Sequence, residues 1–217
     1  MTADRRDIYR YLGCRSGCPP ADLRRMVEDC LAELDAAAAP RRVYRVYPLD
    51  GTDKEAVRFD GLTLKSRDLA AFLKGCTMVA LLGVTLGPQA DTLIRRWEKL
   101  EMSRAVVLDA CASALAEAQA EDCQREAEKA SGLSAVGRFS PGYGDLPLDV
   151  QGGLLDRLDA SRRIGLTLTG GGMLVPVKSV VALAGLGTEK PPGAYKNCGG
   201  KCASCAKQDC PYRAVSE

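Results

Sequence analysis

The chain of 217 residues contains no histidine. That removes the commonest general base of enzymes and the commonest nitrogen ligand of metals, so any metal here must be held by sulfur or oxygen. An excess of charge is also missing. Thirty basic and 28 acidic residues leave a net charge of +2, too weak a field to draw nucleic acid or an anionic membrane surface, and neither is expected as a partner. Nor is there a long apolar run. The stretch from Val79 to Leu86 is far too short to span a bilayer, and the opening Met1-Thr2-Ala3-Asp4-Arg5-Arg6-Asp7 carries acids where a secretory signal needs a hydrophobic segment. A soluble, cytoplasmic protein is the expectation.

What the chain does have is enough apolar residue, 46%, to bury one substantial core, so one domain with an appendage is expected. Ten cysteines stand at positions 14, 18, 30, 76, 111, 123, 198, 202, 205 and 210. Without a secretory signal they read as reduced thiols rather than a disulfide framework.

Along the chain, Pro19-Pro20-Ala21-Asp22 reads as a helix start, and Leu23, Met26, Val27, Cys30, Leu31 and Leu34 form one apolar stripe that ends before Pro40. Residues 42–48 alternate as a strand does. Residues 56–60 and 61–64 read as a hairpin around Asp60-Gly61, and Ser66 reads as the N-cap of a short helix. Residues 76–86 are apolar throughout, the pattern of a strand buried on both faces. From about Gln89 to Ala130 the pattern is helical and Ala-rich, with a break near Met102-Ser103; Ala110, Ala112, Ala114, Ala116, Ala118 and Ala120 suit close packing. A strand over 133–139, a short helix over 149–158, and strands over 164–169 and 173–186 around Gly170-Gly171-Gly172 complete the reading. The fold class expected is α+β: a twisted, mainly antiparallel sheet with flanking helices, one long Ala-rich helix and a Cys-rich C-terminal tail.

Two places carry chemistry in the folded part. Arg138-Phe139-Ser140-Pro141-Gly142-Tyr143 puts a guanidinium, a turn that exposes main chain and an aromatic hydroxyl within six residues, which suits a small zwitterion. The same residue types also make an ordinary Pro-Gly surface turn. Asp109, Ser113 and Glu117, spaced by four, share one helix face that can hold an ammonium or ribose hydroxyls, or can simply be solvated.

The tail is different. Cys198, Cys202, Cys205 and Cys210, the last followed by Pro211, sit among Gly, Ala, Ser and Lys, where no apolar core can use them. Metal or cluster ligation is the reading, with a tight run ending in Cys-Pro favouring a [4Fe-4S] cluster and structural zinc as the competitor. Cys14 and Cys18 are either further ligands or ordinary thiols.

The ordered set Leu115-Ala116-Glu117-Ala118-Gln119-Ala120-Glu121, then Arg138 to Tyr143, then Leu168-Thr169 and Met173-Leu174-Val175-Pro176 leading to Ser179, resembles the reactivation domain of vitamin B12-dependent methionine synthase over about residues 105–186. The resemblance implies an α+β domain at residues 1–190, a free-standing activation protein, with residues 191–217 as the metal- or cluster-binding tail. It implies binding of S-adenosylmethionine, with cobalamin supplied by a partner methionine synthase or related corrinoid protein, and an accessory role in reductive methylation of cob(II)alamin. Carried over by position, Arg138 takes the methionyl carboxylate, Ser140, Gly142 and Tyr143 form the ligand turn, and Glu117 supplies an acid from the long helix; no side chain acts as a catalytic base. Two positions depart from the family pattern: Ser113 stands where it has an acid, and Gly144 replaces the usual proline, which is expected to loosen the turn. The competing reading is a non-catalytic metal-binding adaptor, with zinc or iron-sulfur in the tail.

Overall fold

Local signals place the first elements, and the computed structural model, which describes residues 3–14 and 19–188, follows them. Helix α1 (Arg5–Tyr11) starts at Asp4, whose carboxylate accepts from the Arg6 N–H at 2.9 Å. Helix α2 (Ala21–Ala37) buries the expected stripe through Val27, Cys30 and Leu34. Strand β1 (Arg41–Pro48) follows, then a small sheet of β2 (Gly51–Thr52), β3 (Ala56–Phe59) and β4 (Leu62–Lys65). The β3–β4 turn puts Asp60 and Gly61 at φ 48° and 68°, as a two-residue hairpin requires. Ser66 caps α3 (Arg67–Phe72), its Oγ accepting from the Leu69 N–H at 2.9 Å. Strand β5 (Met78–Thr85) leads into α4 (Pro88–Leu100), opened by a proline whose missing N–H costs nothing there. Extended backbone at Glu101 separates α4 from α5 (Met102–Ser131), and Gly132, at φ 70°, ends α5.

After β6 (Ser134–Phe139) come a 3-10 turn at Leu148–Val150, α6 (Gln151–Leu158), α7 (Ala160–Ile164), β7 (Thr167–Leu168), β8 (Leu174–Val175) and β9 (Ser179–Gly187). Two expectations need correction. The strand expected over 164–169 is only two residues long, because Ala160–Ile164 forms a helical turn ended by Gly165 at φ 70°. The long strand expected over 173–186 is split into β8 and β9, because the Val177 and Lys178 N–H groups leave the ladder and donate to Asp91 of α4 at 2.7 and 3.2 Å.

The main sheet has the order β1-β5-β9-β6 and is antiparallel throughout, which meets the α+β expectation. β5 alternates between two cores. Val79 and Leu81 pack with α3, α6 and α7 on one face, while Ala80, Leu82 and Val84 meet Ala120, Cys123 and Ala127 of α5 on the other. Each fully buried leucine of this kind contributes roughly 1.5–3 kcal/mol. The alanines matter for distance rather than for area: Ala112, Ala120 and Ala127 are fully buried and let α5 lie close on its neighbours. A third cluster joins α1, α2 and α4 to the outer side of α5. Among the described residues no helix is long and apolar enough to cross a membrane.

Candidate functional site

Arg138 lies on β6 opposite Ala184 of β9, and its side chain, 11% exposed, reaches across to α5. There three residues at spacings of four and three meet it. Nη1 donates to Glu121 Oε2 at 2.8 Å and to Gln124 Oε1 at 3.2 Å, and Nη2 donates to Glu117 Oε2 at 3.2 Å. One guanidinium is thus shared by two carboxylates, a charge-assisted cluster that fixes the fork against the helix. The sequence-predicted pair Glu117 and Arg138 is brought together. Glu121 and Gln124 were missed, although extending the Asp109-Ser113-Glu117 spacing by one step reaches Glu121.

The chain turns immediately after β6. Ser140 contributes its carbonyl, accepting from the Tyr143 N–H at 3.0 Å, and the Gly142 N–H donates to Leu146 O at 2.8 Å. Gly142 has φ 86°, which favours glycine, and a Cβ there would come 3.0 Å from the exposed Leu148 side chain, which would have to shift. The turn delivers Tyr143, 40% exposed, with its ring edge-on to Phe139 at 6.0 Å; Phe139 in turn packs on Phe72 at 5.4 Å.

Beside Gly144 the turn is bonded to another element. Asp145 accepts from Ser66 Oγ, from the Arg67 N–H at 2.9 Å and from the Asp68 N–H at 3.2 Å, and its own N–H donates to Asp68 Oδ2 at 3.2 Å. These bonds, Ser66 first, hold the Asp145 carboxyl below the usual carboxylate range. The reciprocal bonding ties the turn to the N-terminus of α3. Gly144, at φ 53°, sits against Asp68, where a proline could not adopt that backbone.

Glu117 and Tyr143 open onto a groove of about 700 Å³ that runs along α5 past Asp109 and Ser113 to Met102, with Ile94 of α4 and Val177 to Val180 completing its walls. Arg138 stands behind Glu117 rather than in the lining. Lys178, which sequence reasoning missed, donates from Nζ to Asp109 Oδ1 at 2.7 Å and to Ser113 Oγ at 3.0 Å. The helix face carrying Asp109, Ser113 and Glu117 is therefore no merely solvated surface: each of the three is engaged by a cation from another element.

No protein-family model and no curated protein matches the chain. Among solved structures, the crystal structure of the MetH reactivation domain bound to AdoHcy aligns with 88% of this chain and 77% of its own, at a TM-score of 0.64 and 16% sequence identity. The fold is similar to that of the MetH reactivation domain. That likeness is one of architecture.

The tail residues Cys198, Cys202, Cys205 and Cys210, and Cys18, lie outside the described residues. Among the described residues no group of three or more cysteines or acids is placed to hold a metal. Cys14 is a half-buried free thiol, and Cys30, Cys111 and Cys123 are buried free thiols. Burial pushes Cys30 up to about 11 and Cys111 and Cys123 up to about 12, which keeps them protonated and unreactive at neutral pH.

Proposed function

We propose that this chain binds S-adenosylmethionine and supports reductive methylation of cob(II)alamin on a separate cobalamin-dependent methionine synthase or related corrinoid protein. The observation that carries the reading is the Glu117–Arg138–Glu121 cluster beside Tyr143 at the end of a groove, in a fold similar to one crystallised with AdoHcy. A zwitterion needs one cation for its carboxylate and an acid for its ammonium. Arg138 and Glu117 are such a pair, already 3.2 Å apart, and ligand binding exchanges their mutual bond for one bond each to the ligand.

Cobalamin, supplied by the partner, would supply the nucleophile that takes the methyl group once reduced by one electron, and S-adenosylmethionine would leave as a neutral thioether. No proton moves in that exchange, so a chain without histidine lacks nothing that the chemistry requires. The protein's part is to hold the sulfonium in one orientation and keep competing nucleophiles away. Thermal unfolding with S-adenosylmethionine tests the binding: at a hundred times its dissociation constant the ligand adds about 2.7 kcal/mol of stability, and an unchanged midpoint overturns the reading.

The electron is assigned to a [4Fe-4S] cluster held by Cys198, Cys202, Cys205 and Cys210 in the tail, residues 191–217, beside a binding domain of residues 1–190. Metal analysis and electron paramagnetic resonance after anaerobic purification test it. Stoichiometric iron with a cluster signal supports a relay to cobalamin, and stoichiometric zinc without iron removes it. A metal-binding adaptor, the competing reading, requires metal in the tail and no ligand in the domain.

A further inference from the structure

Lys178 is a charged group inside the groove that the binding reading leaves unused. Its side chain is only 13% exposed, yet Nζ makes two bonds, to Asp109 and Ser113, and both of these lie on the α5 face that leads to Glu117. Its direction is fixed from a second helix. Asp91 of α4, 8% exposed, accepts from the Val177 and Lys178 N–H groups and bends the chain out of the strand path, aiming the amine at α5. A lysine this far from water is retained only where its charge is matched, and Asp109 matches it.

Two cationic side chains, Arg10 and Lys178, and three acidic ones, Glu98, Asp109 and Glu117, line the groove, an excess of one negative charge. S-adenosylmethionine carries a sulfonium, an ammonium and a carboxylate, for a net charge of +1, whereas its thioether product is neutral. Asp109 lies two helical turns before Glu117 on the same face. Left unmatched, its carboxylate would compete with the Glu117–Arg138 corner for the ligand's positive groups and draw the ligand out of register.

We infer that Lys178 is a specificity-determining residue of the groove, which masks Asp109 and so confines the ligand's positive charge to the Glu117 end. The inference rests on the binding reading above. It sets the ratio of affinities for the sulfonium and the thioether, because only the former feels one added unit of charge in full.

Calorimetric titration of S-adenosylmethionine and S-adenosylhomocysteine into the full chain and its variants tests this. Lys178→Met exposes the Asp109 charge and raises the sulfonium-to-thioether affinity ratio about threefold to tenfold, the effect of one charge over roughly 10 Å at an effective dielectric between protein surface and water. Asp109→Asn with Lys178 intact lowers the ratio by a similar factor, which keeps the test open should Lys178→Met fail to fold. The double variant returns it to the wild-type value, and Lys178→Arg leaves it unchanged. A purely structural Lys178 shifts both affinities together and leaves the ratio constant, which overturns the inference while the binding reading stands. Failure of the wild-type chain to bind either ligand overturns both.

Discussion

Replacing Arg138 by methionine separates two roles, the structural link seen in the fold and the carboxylate ligand proposed above. In the folded chain the guanidinium is 11% exposed and bonded to Glu117, Glu121 and Gln124, while Glu117 and Glu121 keep 40% and 32% of their side-chain surface. Those two acids still reach water when their cation is lost. The cost therefore falls below the roughly 3–5 kcal/mol of a fully buried broken pair, and about 2 kcal/mol is expected. For a chain of this size that lowers the thermal midpoint by roughly 4–8 °C. On the proposed binding reading, the bond to the ligand carboxylate is a separate loss of roughly 1.5–3 kcal/mol, or one to two decades in affinity for S-adenosylmethionine. Urea denaturation reads the first quantity and calorimetric titration the second. Glu121 keeps Arg125 at 3.8 Å, so adding Glu121→Gln to Arg138→Met recovers little of the stability and does not restore affinity. Stability unchanged within about 0.5 kcal/mol would refute the ion-pair argument, and wild-type affinity in Arg138→Met would refute the carboxylate role.

Gly144→Ala forces a Cβ into Asp68 at φ 53°, with the Asp68 Cβ only 2.9 Å away, and is expected to cost about 2–3 kcal/mol. Gly132→Ala, at φ 70° in open space, is expected to cost about 1 kcal/mol; equal costs in urea denaturation would mean that Asp68 does not occupy that position. The buried thiols set an alkaline limit. Cys30, Cys111 and Cys123 have folded values of about 11, 12 and 12 against 9.0 when unfolded, so the unfolded chain ionises first as pH rises: their contribution is intact below pH 9 and is lost between pH 9 and 12. Denaturation midpoints that stay level across that window in the native protein, while falling in none of the three Cys→Ala variants, would contradict this assignment. At pH 8 the same thiols are expected to resist a disulfide reagent until urea is added, as peptide mapping would report.

The sequence reveals the parts of the fold that rest on local signals. Asp60-Gly61 has the pair of residues that a tight hairpin demands, Ser66 has the hydroxyl that a helix N-terminus lacks, and Val79 to Val84 are apolar on both faces because α5 and α6 cover both faces of β5. Where expectation failed, the deciding contact was either weak or distant. Ile164 reads as a strand residue by its branching, yet the turn of α7 is set by Asp159 at φ 53° and Gly165 at φ 70° on either side of it. The split between β8 and β9 has no local signature at all, since the acceptor for its two N–H groups is Asp91, one side chain on another helix.

The same distinction governs the site. The spacing of Asp109, Ser113 and Glu117 places three polar groups on one face, but it cannot say which of them are still available to a ligand. That depends on cations delivered by β6 and by the bend before β9. Arg138 is divided between Glu117 and Glu121, the latter with Arg125 also 3.8 Å away; Asp109 is matched one-to-one by Lys178. Ser113 stands where the resembled family has an acid, and the structure gives that departure a physical consequence. An acid at 113 would lie beside the Lys178 amine and draw it away from Asp109, whereas a serine hydroxyl accepts from Nζ at 3.0 Å and donates its own O–H to the main-chain carbonyl of Asp109 at 2.9 Å, leaving the full charge of the amine on the Asp109 carboxylate. Serine at this position and lysine at 178 therefore form one arrangement, which under the proposed binding keeps an acid two turns from Glu117 but withholds it from a cationic ligand.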